Sequence, residues 1–195
     1  MDFHTAAVLF GVGLAVHLVG VLTALFDAGG VWLVGISLML AGAYGLSRSY
    51  GRWDIFKNTA AACVIAAVGM ELTLAVWYGS GGGQQGRAPL ERLLSSEALL
   101  LAVGWPFSVA SVYFDRRVYL ALYQASGLEY FKYAAQFARW GALLYAVGTP
   151  LYFAGVIFAV VGVSELKPPP GRGPRGSPPG GPPAEHPKRR EEVGS

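Results

Sequence analysis

Two side chains in this chain could move a proton where water is scarce. Glu71 interrupts the apolar stretch Asn58–Tyr78, and His17 interrupts Phe3–Phe26. An ionisable residue inside such a run is costly and normally faces a bundle interior, a partner or water. Counted from a shared side at 1.5 Å per residue, both lie about 20 Å from that interface. Matched depth makes Glu71 and His17 a candidate intramembrane polar site. Its chemistry would be proton or cation handling. The structural alternative is a neutral Glu71 hydrogen-bonded to His17 or Thr73, which costs far less than an isolated charge.

Little else in the chain points to chemistry. Three histidines are scattered, and Cys63 is the single cysteine, so no intrachain disulfide forms. There is no H-E-x-x-H, no paired-cysteine spacing, no P-loop and no dinucleotide fingerprint. The glycines at Gly79–Gly83 lack a following Gly-Lys-Ser/Thr and read as linker. The expectation is therefore no metal, no cofactor, no nucleic-acid partner and no enzymatic activity.

The elements that must position Glu71 and His17 are membrane helices. Hydrophobic residues make up 53% of the chain and charged residues 14%, where a soluble domain carries about 25% charge. The pattern predicts an all-α, polytopic transmembrane bundle over residues 1–166 and a disordered tail over 167–195. About twenty apolar residues cross a bilayer core. Five spans are expected: Phe3–Phe26, Val31–Leu46, Asn58–Tyr78, Glu97–Phe114 and Trp140–Val163, the last kinked at Pro150. Span two, with about sixteen residues, is short and needs part of the connector or local bilayer thinning. A six-span rival splits the last segment at Gly148-Thr149-Pro150. Nine of the twelve prolines follow Lys167, a composition that cannot bury a core.

Two connectors, 47–57 and 115–139, interleave cations with aromatic residues. Both read as interfacial, with Arg48, Arg52, Trp53, Lys57, Arg116, Arg117 and Lys132 touching lipid headgroups. The cation bias places both connectors on the cytoplasmic side of a multi-pass cell-membrane protein. With five spans the tail lies outside, against the pull of its own six cations; six spans would bring it inside. Glycine supplies a packing signal. Gly13 and Gly20, Gly35 and Gly42, and Gly141, Gly148, Gly155 and Gly162 recur every seven residues, so each set forms one stripe for close helix approach.

Three pieces stand out together: the glycine-spaced opening hairpin, Tyr50-Gly51 with Ile55-Phe56-Lys57-Asn58, and Ser126-Gly127-Leu128-Glu129-Tyr130-Phe131-Lys132-Tyr133-Ala134 running into an apolar end. In these the chain resembles a family of uncharacterised archaeal integral membrane proteins, the domain-of-unknown-function family numbered 996. The resemblance covers roughly residues 8–166. It implies an archaeal membrane setting and no particular activity. Charged Arg139 departs from the family's smoother apolar stretch.

Two functions compete on these grounds. A non-enzymatic scaffold or assembly subunit, partnered by the bilayer, by other membrane subunits or by itself, accounts for the glycine stripes. A small proton- or cation-coupled transporter or channel would use Glu71 and His17. The first needs a dry, close-packed bundle; the second needs Glu71 facing a polar cavity.

Overall fold

The computed structural model describes residues 1–27, 30–79 and 89–169. Among them are five helices and no strand: α1 (Phe3–Asp27), α2 (Gly30–Tyr50), α3 (Trp53–Gly79), α4 (Pro89–Ser126) and α5 (Glu129–Ser164). Three are long and apolar enough to cross a membrane, over Phe3–Val21, Gly30–Tyr50 and Trp53–Thr73. Val12, Leu33, Val34, Val64, Val68, Leu143 and Ile157 point outward and exposed, as lipid-facing side chains do in a bundle that buries its polar backbone within helices. The tail expectation falls on residues of which 170–195 lie outside the described set, as does most of the Gly79–Gly86 linker.

α1 and α2 form an antiparallel hairpin at backbone contact. A Cβ built at Gly13 would lie 2.5 Å from the Met39 nitrogen. One at Gly20 would strike the Trp32 backbone, one at Gly35 the His17 backbone and one at Gly42 the Phe10 backbone. No side chain could be added at these four glycines without moving the facing helix. α2 runs on to Tyr50, so span two is not short. The connector shrinks to a turn at Gly51, whose φ of 68° suits glycine.

The second connector is not an interfacial helix. α4 continues unbroken to Ser126, and the chain reverses at Gly127, where φ is 73°. Val118, Tyr119, Leu122, Phe131, Ala134, Ala135 and Ala138 are all buried in the main core. These residues recur at three- and four-residue spacing, the signature of an inward helical stripe. The cations between them turn outward.

α5 doubles back on itself. Along a straight helix Phe137 and Phe158 would stand about 30 Å apart. Their rings instead stack at 5.4 Å between centroids, 4° from parallel. A Cβ at Gly141 would lie 2.7 Å from the Tyr152 nitrogen, and one at Gly155 3.1 Å from the Ala134 carbonyl oxygen. The chain thus turns between Gly141 and Tyr152. Pro150 opens the returning arm, where its missing N–H and fixed φ are tolerated. This corrects the single kinked last helix: Gly141, Gly155 and Gly162 each face the opposite arm.

The reversal decides where the chain ends. The Tyr50 hydroxyl donates to the Lys167 carbonyl at 3.0 Å. Lys167 therefore stands at the connector end of the bundle, with Gly51 and Gly127. The described residues thus make six passes along the bundle.

Candidate functional site: a half-open cavity

α3 presents its small and polar residues inward at helical spacing: Thr59, Ala62, Cys63, Ala66, Gly69, Met70 and Thr73. Thr59, Ala62, Cys63 and Gly69 are buried, and Ala66, Gly69, Met70 and Thr73 line a cavity of about 390 Å³. Glu71 is not part of that stripe. It is exposed, beside Val64, Val68 and Leu72. One residue past Met70 turns the helix by about 100°, which takes the carboxyl off the cavity wall. The pairing of Glu71 with His17 at a shared internal site is therefore corrected. The Thr73 hydroxyl donates to the Gly69 carbonyl at 2.7 Å, within its own helix.

His17 does line the cavity. Its ring lies 5.8 Å from that of Trp32, tilted by 39°. Its Nδ1 is buried without a hydrogen-bond partner. Gly35 sets this geometry, because α2 approaches the His17 backbone directly. A buried polar atom left unpaired costs about 1–3 kcal/mol.

The rest of the wall comes from α4 and the two arms of α5, chiefly Phe107, Ser108, Ser111, Gly141, Tyr152 and Phe153. The Ser111 hydroxyl crosses to donate to the Ala62 carbonyl at 3.1 Å, a buried tie between α4 and α3. The Ser108 hydroxyl donates to Gly104 at 3.0 Å. With Thr73, these hydroxyl hydrogens are committed to backbone, so their oxygens can only accept. The cavity is otherwise apolar. It suits a mainly hydrocarbon molecule carrying one or two small donor groups.

Sequence reasoning missed the internal acid. Asp115 is 8% exposed, and Tyr152 lies beside its carboxyl group. Tyr152 also lines the cavity, so Asp115 stands directly behind the wall. Reading Asp115 as the first residue of an interfacial connector hid this. The signal was present in Ser111, Asp115, Val118, Tyr119 and Leu122, a run at helical spacing.

The remaining candidates are structural or peripheral. Gly13, Gly20, Gly35, Gly42, Gly141, Gly155 and Gly162 all face another helix or helical arm; the surroundings of Gly148 lie outside the described residues. Arg48, Lys57, Trp53 and Arg117 are exposed, and Arg52, Arg116 and Lys132 partly so. Lys132 pairs with Glu129 at 3.2 Å. Among the described residues no three of His, Cys, Asp or Glu group as metal ligands.

The family model described as "Protein of unknown function (DUF996)" matches residues 31–162. No curated protein and no solved structure matches the chain.

Proposed function

The chain belongs to the DUF996 family, whose function is unknown, and from that premise we propose that it is a non-enzymatic membrane protein that binds a small, mainly apolar molecule inside its bundle. The polypeptide crosses the cell membrane six times, with both connectors and the tail cytoplasmic. The observation that carries this reading is the cavity of about 390 Å³ lined by His17, Trp32, Met70 and Phe107. A dry scaffold has no use for such a space. The glycine contacts hold the walls in place instead, and partners would meet the exposed apolar faces.

A brominated medium-chain alcohol, 8-bromo-octan-1-ol, tests the proposal. Trp32 is 3% exposed and borders the cavity. In a variant retaining Trp32 as its one tryptophan, the alcohol should quench fluorescence saturably, and Ala66→Phe, which fills the cavity, should abolish saturation. Unsaturable quenching, equal in both proteins, would mean that the alcohol reaches Trp32 from lipid.

One observation favours a second reading, proton-coupled transport. The acid inside the bundle is Asp115, in contact with the cavity wall through Tyr152. Proton flux into liposomes that is lost in Asp115→Asn and kept in Glu71→Gln would support it. Flux indifferent to Asp115 would remove it.

A further inference from the structure

At the connector end, α3 and α4 leave a second recess of about 310 Å³, bordered by Arg52, Asp54, Asn58, Arg117 and Gln124. Its construction differs from a loose surface patch. The Arg52 guanidinium is fixed by three hydrogen bonds: Nε to Asp54 at 3.1 Å, Nη2 to Asp54 at 2.6 Å and Nη2 to Gln124 at 3.0 Å. The last of these crosses from α3 to α4. The Nε–H and both Nη2 hydrogens are thereby engaged, and the Nη1 pair stays available. Asn58 donates to the Asp54 carbonyl at 2.8 Å, which leaves its amide oxygen as an acceptor.

Arg117 completes the recess from α4. Its guanidinium lies 4.8 Å from the Tyr113 ring centroid, and it pairs with no carboxylate among the described residues. Two guanidinium groups against the one Asp54 carboxylate leave the recess with a net single positive charge. That balance matches a phosphodiester monoanion better than a doubly charged phosphate. Arginine forks suit phosphate oxygens in geometry as well as charge.

The height of the recess agrees. Tyr44, Trp53 and Phe56 cluster next to it, with ring centroids 4.9–5.9 Å apart, and Trp53 is 45% exposed. Such aromatic groups mark the headgroup level of a bilayer. We infer that the recess between α3 and α4 seats the phosphodiester of an anionic lipid headgroup, gripped by Arg117 and Arg52. The lipid would then brace the α3–α4 contact that also forms part of the cavity wall.

The test uses the purified full chain in detergent, with phosphatidylglycerol, phosphatidylcholine and inorganic phosphate as separate probes. Binding is read by native mass spectrometry and by the shift in unfolding temperature. Phosphatidylglycerol should bind more tightly than phosphatidylcholine, and millimolar inorganic phosphate should not displace it. Arg117→Gln should weaken phosphatidylglycerol binding about tenfold, the loss expected for one charge-assisted contact. Lys132→Gln should leave it unchanged, because Lys132 is already paired with Glu129. Should Arg117→Gln fail to fold, Arg117→Lys keeps the charge without the fork and should give a smaller loss. Equal effects of the Arg117 and Lys132 variants would overturn the site. Full displacement by inorganic phosphate would overturn the lipid assignment.

Discussion

Replacing Gly13 with alanine should pry the α1–α2 hairpin apart. The added Cβ would lie 2.5 Å from the Met39 nitrogen and 3.0 Å from the Gly35 oxygen, both backbone atoms that cannot rotate away. Ordinary carbon contacts fall at about 3.5–4.0 Å, so the helices must separate by about 1 Å at this level. Such a gap forfeits about a third of each contact's attraction; across roughly 40 atom pairs at about 0.15 kcal/mol each, the loss is about 2 kcal/mol. Alanine's better helix propensity returns up to about 1 kcal/mol, while strain from overpacking adds to the loss, giving a net cost of about 1–3 kcal/mol. Gly30 is the control, since a Cβ there meets nothing within 4 Å. Reversible unfolding in mild detergent, followed by circular dichroism, measures both variants. Gly13→Ala should lose stability while Gly30→Ala stays within about 0.5 kcal/mol of the parent. Equal stability in the two variants would refute backbone contact as the basis of the hairpin.

Three further outcomes follow from the fold. In a background with Cys63 replaced by alanine, cysteines at Ser126 and Ser177 should label from the same side of the membrane, because α5 doubles back; labelling from opposite sides would restore a five-span path. Phe158→Ala removes a ring packed against Phe137 and Tyr133 and should cost about 1–3 kcal/mol, with hydrogen exchange rising first in 150–164; unchanged exchange there would argue against the folded-back arm. At the start of α1, the Thr5 N–H and hydroxyl bond to the Asp2 carboxylate at 2.7 and 3.1 Å, and the backbone contact chiefly holds its pKa below 3.8. A depressed acid stabilises the fold above its unfolded pKa and loses that contribution as pH falls through the folded one. Asp2→Asn should therefore lower stability modestly at neutral pH and converge with the parent as the pH falls below about 4, flattening the profile; an unaltered profile would deny the cap.

The helices themselves were legible because apolar length and glycine spacing are properties of one chain segment at a time. Gly13, Gly20, Gly35 and Gly42 could be picked out from period alone. What period cannot supply is rotational phase relative to a neighbour. Glu71 and Met70 differ by one residue and by the whole thickness of a helix wall. Depth counting gives a level along the axis and cannot tell which residue faces inward. Asp115 was lost for a related reason. Charges at Arg116 and Arg117 marked the stretch as interfacial, while the stripe through Val118, Tyr119 and Leu122 was carrying α4 through the core. The turn in α5 was legible only as an alternative. Glycine at seven-residue intervals fits one long stripe or two facing arms equally well, and only long-range contacts such as Phe137 with Phe158 separate them.

The central claim is that the space beside His17 accepts an apolar molecule. The most direct measurement is bromine anomalous scattering from crystals of the protein grown with 8-bromo-octan-1-ol. The account predicts a bromine peak inside the cavity walled by His17, Trp32, Met70 and Phe107. Bromine confined to the outer surface along Val64, Val68 and Leu72, with the cavity unchanged, would contradict it.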